Sequence, residues 1–369
     1  MKRIALVLML ILALSRAQAS ETLTVAAKGA VLIDGASGRV LFAQNADAQY
    51  PMASTTKVMT TLLALENAPL DARVTAGKNA AGVTGTSLYL SEGETLTMEQ
   101  MLYGLMLRSG NDAAVAVAEH VAGSVPAFAR MMNARADEID ADAHFVNPHG
   151  LDADGHRTSA LGLARIMREA MKNETFRSIT GTTRKVIPWV GNEYSRVLEN
   201  KNRLLTTYEG ATGGKTGYTS KAGRCLVFSA RRDGLELIGA VLNCPTWFDT
   251  ATEMLDYGFD HYRLESAYAK GDVVRAVPVL NGMDGAVNAE TDDALSTAVR
   301  IGAPVDIVVT LPDQLEAPVR AGDILGTAAI QSDGGVIAQC NLVAADDVEK
   351  LDIRQAFMRL LRNWTLLFR

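Results

Sequence analysis

A chain of 369 residues with 36 Lys+Arg against 42 Asp+Glu carries a formal charge of −6. The length accommodates two domains with a sizeable core, and the acidic balance argues against a nucleic-acid partner, which selects a basic surface. No low-complexity tract or internal repeat is present, which excludes the disordered and fibrous classes.

The first segment, "MKRIALVLMLILALSRAQAS", joins Lys2 and Arg3 to an apolar stretch over residues 4–14 and then to Ala17-Gln18-Ala19. That is the pattern of a secretory signal over residues 1–19, cleaved after Ala19. An uncleaved anchor is the alternative, but the stretch is short for a membrane span. Either way the chain is expected to work on the extracytoplasmic side of the membrane, in the cell wall space or periplasm.

"GAVLIDGASGRVLFAQN" reads as a β-hairpin around a glycine-rich turn. "PMASTTKVMT" follows, with Ser54 and Lys57 ahead of the apolar run "KVMTTLLALEN", which suits a buried helix. The pattern is helical from 97 to about 139, with a new start at Pro126. "HFVNPHGLDADGHRTSA" is loop-like, and a helix is expected over 159–172. "GGKTGYTS" precedes "GRCLVFSARRDGLELIGAVLN", a second hairpin turning at Arg232-Asp233-Gly234. "DTATEMLDYGFDHY" closes this region as a helix. The elements do not alternate βαβ, so the fold class is α+β with an antiparallel sheet flanked by helices.

This reading gives a first domain over 20–265. Short β-rich runs separated by Gly, Pro and Asp then predict a small all-β domain over 266–347. The segment 348–369 reads as an amphipathic helix. Ile353, Phe357, Leu360, Leu361, Trp364, Leu367 and Phe368 share one side, with Arg354, Arg359, Arg362 and Arg369 off it. It is too charged to span a bilayer but suited to lie at a membrane surface. Docking on the β-domain is the alternative. The three cysteines, Cys225, Cys244 and Cys340, have strand-like flanks and read as small buried residues, although a Cys225–Cys244 bridge stays open.

The five histidines form no metal-binding cluster, and no nucleotide-binding glycine loop is present, so neither metal nor cofactor is expected. Three short motifs remain. In Ser54-Thr55-Thr56-Lys57, residues three apart share a helix face, so a hydroxyl and an amine project side by side. A lysine whose pKa is lowered by burial and neighbouring cations can take the serine proton. A helix cap beside a surface lysine is the plainer reading. Ser109-Gly110-Asn111 lies at a break between helical patterns, where a cap is again the plain reading. Lys215-Thr216-Gly217 lies on a strand, where a protective edge lysine is the plain reading.

Together, in this order, S-x-x-K, S-x-N and K-T-G resemble the signature of serine penicillin-binding proteins and class A β-lactamases. The chain is most similar to the D-alanyl-D-alanine carboxypeptidases of peptidase family S11. "FVNPHGLDADGHRTSA", "GGKTGYTSKAGRCLVFSARRDG" and "LELIGAVL" carry the likeness, over about residues 22–265. The resemblance implies a transpeptidase-like domain with a helical subdomain, then the β-domain and the peripheral membrane helix. It implies a stem peptide ending in D-Ala-D-Ala as substrate and β-lactams as ligands. Ser54 would be the nucleophile, Lys57 its proton acceptor, and Ser109 the relay toward the leaving D-alanine. Backbone N–H groups of Ser54 and Tyr218 would hold the oxyanion. Asn111 would hold the substrate amide, and Lys215, Thr216 and Thr219 the terminal carboxylate, beside Gly217. Lys201 stands where the family carries a carboxylate-binding arginine, and Thr212-Gly213-Gly214 replaces an acidic residue and glycine. A DD-endopeptidase, a β-lactamase or a non-turnover sensor are the alternatives. A β-lactamase needs a deacylating carboxylate, and Glu92 and Glu94 give no sign of that role.

Overall fold

The computed structural model describes residues 23–352 and Phe357. The signal segment 1–19 and the amphipathic pattern after 352 lie outside the described residues, apart from Phe357.

The centre of the first domain is a five-stranded sheet, antiparallel throughout. Its strands are β1 (Gly29–Asp34), β2 (Val40–Gln44), β3 (Ala211–Thr219), β4 (Gly223–Arg232) and β5 (Leu235–Leu242), in the spatial order β2-β1-β5-β4-β3. Both faces are covered, so the strands read as continuous apolar runs rather than alternating ones. Alternation persists in what each residue meets. Val31, Ile33, Cys225 and Val227 join the core beneath a block of helices, whereas Ala30, Leu32, Leu226 and Phe228 pack toward a helix on the opposite face.

The helical block comprises α1 (Lys57–Asn67), α2 (Met98–Tyr103), α3 (Asn111–Ala122), α4 (Val125–Glu138), α5 (Ala160–Met171) and α6 (Glu174–Gly181). Helix α1 is its axis. Lys57 through Ala64 are all buried, as the unbroken run "KVMTTLLA" requires. Side-chain caps mark the starts. Thr97 and Gln100 form a capping box, Ser124 precedes Pro126, and Ser159 accepts from the first turn of α5, while α6, which the sequence reading did not expect, begins at an Asn173 cap. The opposite face is covered by α7 (Trp247–His261).

Strand β6 (Tyr262–Tyr268) leaves α7 directly and pairs with β9 (Leu295–Arg300), so β structure begins before residue 266. The rest is all-β, with β7 (Val273–Leu280), β8 (Ala286–Thr291), β10 (Val305–Thr310), β11 (Ile324–Ser332) and β12 (Gly335–Ala344) in a six-stranded sheet completed by Leu315–Glu316. The segment expected to turn helical at 348 is still extended there. Val348 pairs with Val319 and Lys350 with Gly282, because Val348 fills a small apolar cluster of this domain. All three cysteines are buried and unpaired, without the Cys225–Cys244 bridge.

Candidate active site

Ser54 is not a helix cap. Ala53–Thr56 form a 3₁₀ turn capped by Met52, and α1 begins only at Lys57. Ala53 adopts φ +48°, rare for alanine, so the turn is held by its surroundings rather than by its own preference. The turn brings the Lys57 amine within 3.0 Å of the Ser54 hydroxyl oxygen. Lys57 is fully buried and donates also to Asn111 Oδ1 at 2.8 Å and to the His149 carbonyl at 2.6 Å. The Ser54 hydroxyl itself donates to the same carbonyl at 3.3 Å. Burial, and then the charges of Lys215 and Lys201, hold the Lys57 pKa well below the usual lysine value, with Asp112 opposing.

Helix α2 passes into a wider π-helical turn over Gly104–Arg108, which ends on Ser109 in the left-handed region at φ +67°. The N-cap position of α3 is Gly110, so Ser109 does not cap it either. The Ser109 hydroxyl oxygen instead accepts from Lys215 at 3.0 Å. Asn111, at the first position of α3, donates through Nδ2 to the Thr84 carbonyl at 2.7 Å. Asp112 is buried and accepts from Leu88 N–H, Leu90 N–H and the Ser87 hydroxyl, which pins the irregular segment 84–90 beside the site.

Strand β3 is the sheet edge nearest Ser54. Lys215 is 2% exposed, which rules out the plain reading of a solvent-facing protective lysine. Burial, then the Lys201 charge, lowers its pKa to about 7. Gly217 lies against the Ala53–Thr56 turn, where a Cβ would sit 2.8 Å from Ser54 N and 3.0 Å from the Met52 carbonyl oxygen. Thr216 is buried, and Tyr218 is exposed at the rim. The Thr219 hydroxyl donates to Asp152 Oδ1 at 2.9 Å and accepts from Ala222 N–H. Strand alternation places Thr219 on the face shared by Lys215 and Gly217, and the Asp152 loop meets it there. Lys201 is exposed, close enough for its charge to act on Lys57 and Lys215. Arg203 stacks on Phe248 instead.

The comparisons with known proteins agree with this arrangement. Residues 15–246 match the peptidase S11 family, D-alanyl-D-alanine carboxypeptidase, and residues 262–350 match the C-terminal domain of penicillin-binding protein 5. The chain belongs to the D-alanyl-D-alanine carboxypeptidase family. It is 33% identical to the D-alanyl-D-alanine carboxypeptidase DacF of Bacillus subtilis, covering 92% of this chain and 90% of that one. It is 31% identical to DacA of Escherichia coli, over 87% of this chain and 83% of the other. The crystal structure of penicillin binding protein 5 from Haemophilus influenzae superposes with a TM-score of 0.78 at 28% identity, covering 89% of this chain and 99% of that chain.

Several contributors to the site carry no side-chain signature in the three motifs. The His149 carbonyl is backbone. Gly150, at φ +88°, must be glycine because a Cβ would meet the Ala53 carbonyl oxygen. His156 accepts from Val146 N–H through Nδ1, so its Nε2–H faces the Thr56 hydroxyl at 2.8 Å. Burial keeps both rings neutral at physiological pH, His149 near about 3 and His156 near about 4. Glu94 is taken by a buried pair with Arg196, at 2.5 and 2.9 Å, and Glu92 is exposed.

Proposed function

We propose that this protein removes the terminal D-alanine from peptidoglycan stem peptides ending in D-Ala-D-Ala, through an acyl-enzyme on Ser54, and that β-lactams acylate the same hydroxyl. One observation carries the reading. The buried Lys57 amine has three hydrogen-bond partners, and only Ser54 has a proton to give. The Asn111 Oδ1 and His149 carbonyl oxygens can only accept. When Lys57 is neutral they retain its two N–H bonds, and the lone pair is left facing Ser54 Oγ. The lowered pKa makes that neutral form accessible.

Attack of Ser54 Oγ on the penultimate D-alanine carbonyl then transfers its proton to Lys57. The oxyanion would lie between the N–H groups of Ser54 and Tyr218, against a strand that has no side chain at Gly217. Ser109 accepts from Lys215, which leaves its own proton free for the departing D-alanine nitrogen. Lys215 and Thr216, with Lys201 farther out, would receive the terminal carboxylate, and the Asn111 amide the substrate amide. Water completes the cycle. The occupied Glu94 speaks against a β-lactamase.

The test is release of D-alanine from diacetyl-L-Lys-D-Ala-D-Ala beside labelling by a fluorescent penicillin. Both are expected from the wild type, and Ser54→Ala should lose both. Stoichiometric labelling without release would replace this reading with a sensor, and labelling of Ser54→Ala would overturn the nucleophile.

We also propose that the basic amphipathic tail holds the enzyme peripherally at the extracytoplasmic membrane surface, supported by its residue pattern alone. Deleting residues 353–369 should release the protein from membranes with soluble-peptide activity retained. Unchanged membrane association would refute the anchor.

A further inference from the structure

We propose that Asp152 is a specificity-determining residue, whose carboxylate recognises a free side-chain ammonium on the residue preceding D-Ala-D-Ala in the stem peptide. This rests on the reading above for which way the peptide lies.

Charged groups stand near both ends of β3. At one end stand Lys215, buried beside Ser109, and the exposed Lys201 whose charge acts on it. At the other end stands Asp152, exposed, with Oδ1 accepting from Thr219. Among the described residues no cation pairs with Asp152. A carboxylate facing the cleft repels the peptide's own C-terminal carboxylate, which sends that end to the lysines. The amino side of the peptide must then run past Tyr218 toward Thr219.

The spacing agrees. With the scissile carbonyl at the Tyr218 N–H, the residue preceding D-Ala-D-Ala begins about 5 Å farther along an extended chain, level with Thr219. A four-carbon side chain leaving it across the strand can reach the carboxylate that Thr219 holds. The group is also held in place. Asn147 accepts from Gly150 N–H at 2.7 Å and donates to the Leu151 carbonyl at 2.9 Å, and Leu151 N–H donates to the His149 ring. Asp152 therefore follows a rigid turn whose His149 carbonyl touches both Ser54 and Lys57. The enzyme would favour stems whose side-chain amine is free over stems in which it is acylated.

The experiment compares kcat/KM for Nα-acetyl-L-Lys-D-Ala-D-Ala and for the doubly acetylated peptide, in wild type, Asp152→Asn and Asp152→Lys. Asparagine keeps an acceptor for Thr219. The wild type should prefer the free amine about two- to five-fold, the scale of an exposed ion pair, and the preference should shrink as salt is raised. Asp152→Asn should bring the ratio to about one, and Asp152→Lys should invert it. Equal rates on both peptides in the wild type, or a preference that survives Asp152→Lys, would overturn the proposal. Penicillin labelling of Ser54 reports that each variant is folded. Labelling without D-alanine release from either peptide would defeat the carboxypeptidase reading, and this proposal with it.

Discussion

Lys57 and Lys215 are both buried, and each lies in the field of other cations, so the order in which they lose protons governs the chemistry. In the proposed mechanism Lys57 is neutral when it accepts the Ser54 proton, whereas Lys215 acts as a cation beside Ser109. The working window therefore opens as Lys57 deprotonates and closes near about 7 as Lys215 does. Second-order acylation by penicillin should accordingly be bell-shaped in pH for the free enzyme. In Lys215→Gln the positive neighbour is gone, so protonated Lys57 is less disfavoured and its pKa rises. The acid limb must then move to higher pH, the alkaline limb near 7 must disappear, and the maximal rate should fall by about 10²-fold for loss of an electrostatic contact to the reacting groups. Stopped-flow acylation from pH 5 to 10 measures all three. An acid limb that stays in place, or moves down, would show that the two amines are not coupled as described.

At the scale of elements, the starts and turns with side-chain signatures were legible. Thr97, Ser124 and Ser159 sit where caps belong, and Asp233-Gly234 turns its hairpin with both residues at positive φ, whereas helix α6 behind Asn173 is an element the sequence reading did not expect. The three short motifs that the fold brings together were legible by order and residue type, and the all-β domain by its Gly- and Pro-punctuated runs. What escaped is what backbone and tertiary packing decide. The 3₁₀ turn at Ala53–Thr56 exists because Gly150 and Gly217 let two other segments approach it to within a Cβ's width, and neither approach is written locally around Ser54. The left-handed end of the π turn at Ser109 likewise defeats the capping rule that reads Ser109 and Asn111 as an ordinary helix start. The partner of Thr219 was not legible either, because Asp152 lies 67 positions away. The edges of the β-domain at 262 and 350 are blurred for a similar reason. Tyr262 belongs to the core under α7 and Val348 to the core of the β-domain, so composition shifts at different residues from packing.

At the scale of the whole molecule, the β-domain is fastened to the end of the central sheet away from Ser54. Register places Asp34 opposite Leu237, level with Ala230 and Ala211, about 20 Å along β3 from Gly217. The Asp34 carboxylate is fully buried and accepts from Ala36 N–H, Ser37 N–H, the Ser37 hydroxyl and Ala298 N–H of β9. The turn is joined further by Ser37 to the Thr297 hydroxyl at 2.9 Å and by Arg39 to the Ala298 carbonyl at 2.8 Å. One carboxylate thus closes the first hairpin and holds the second domain. Asp34→Ala leaves several buried donors without an acceptor, at a cost of about 3 kcal/mol. Calorimetry should show a lower denaturation midpoint, and limited proteolysis should separate fragments near residue 262 sooner than in the wild type. Penicillin acylation at 25 °C should stay within about two-fold, since no group in this cluster touches the site. If the melt and the cleavage pattern are unchanged, the cluster does not hold the domains together. If acylation falls well beyond two-fold, the β-domain supports the geometry around Ser54 directly rather than from the far end of the sheet.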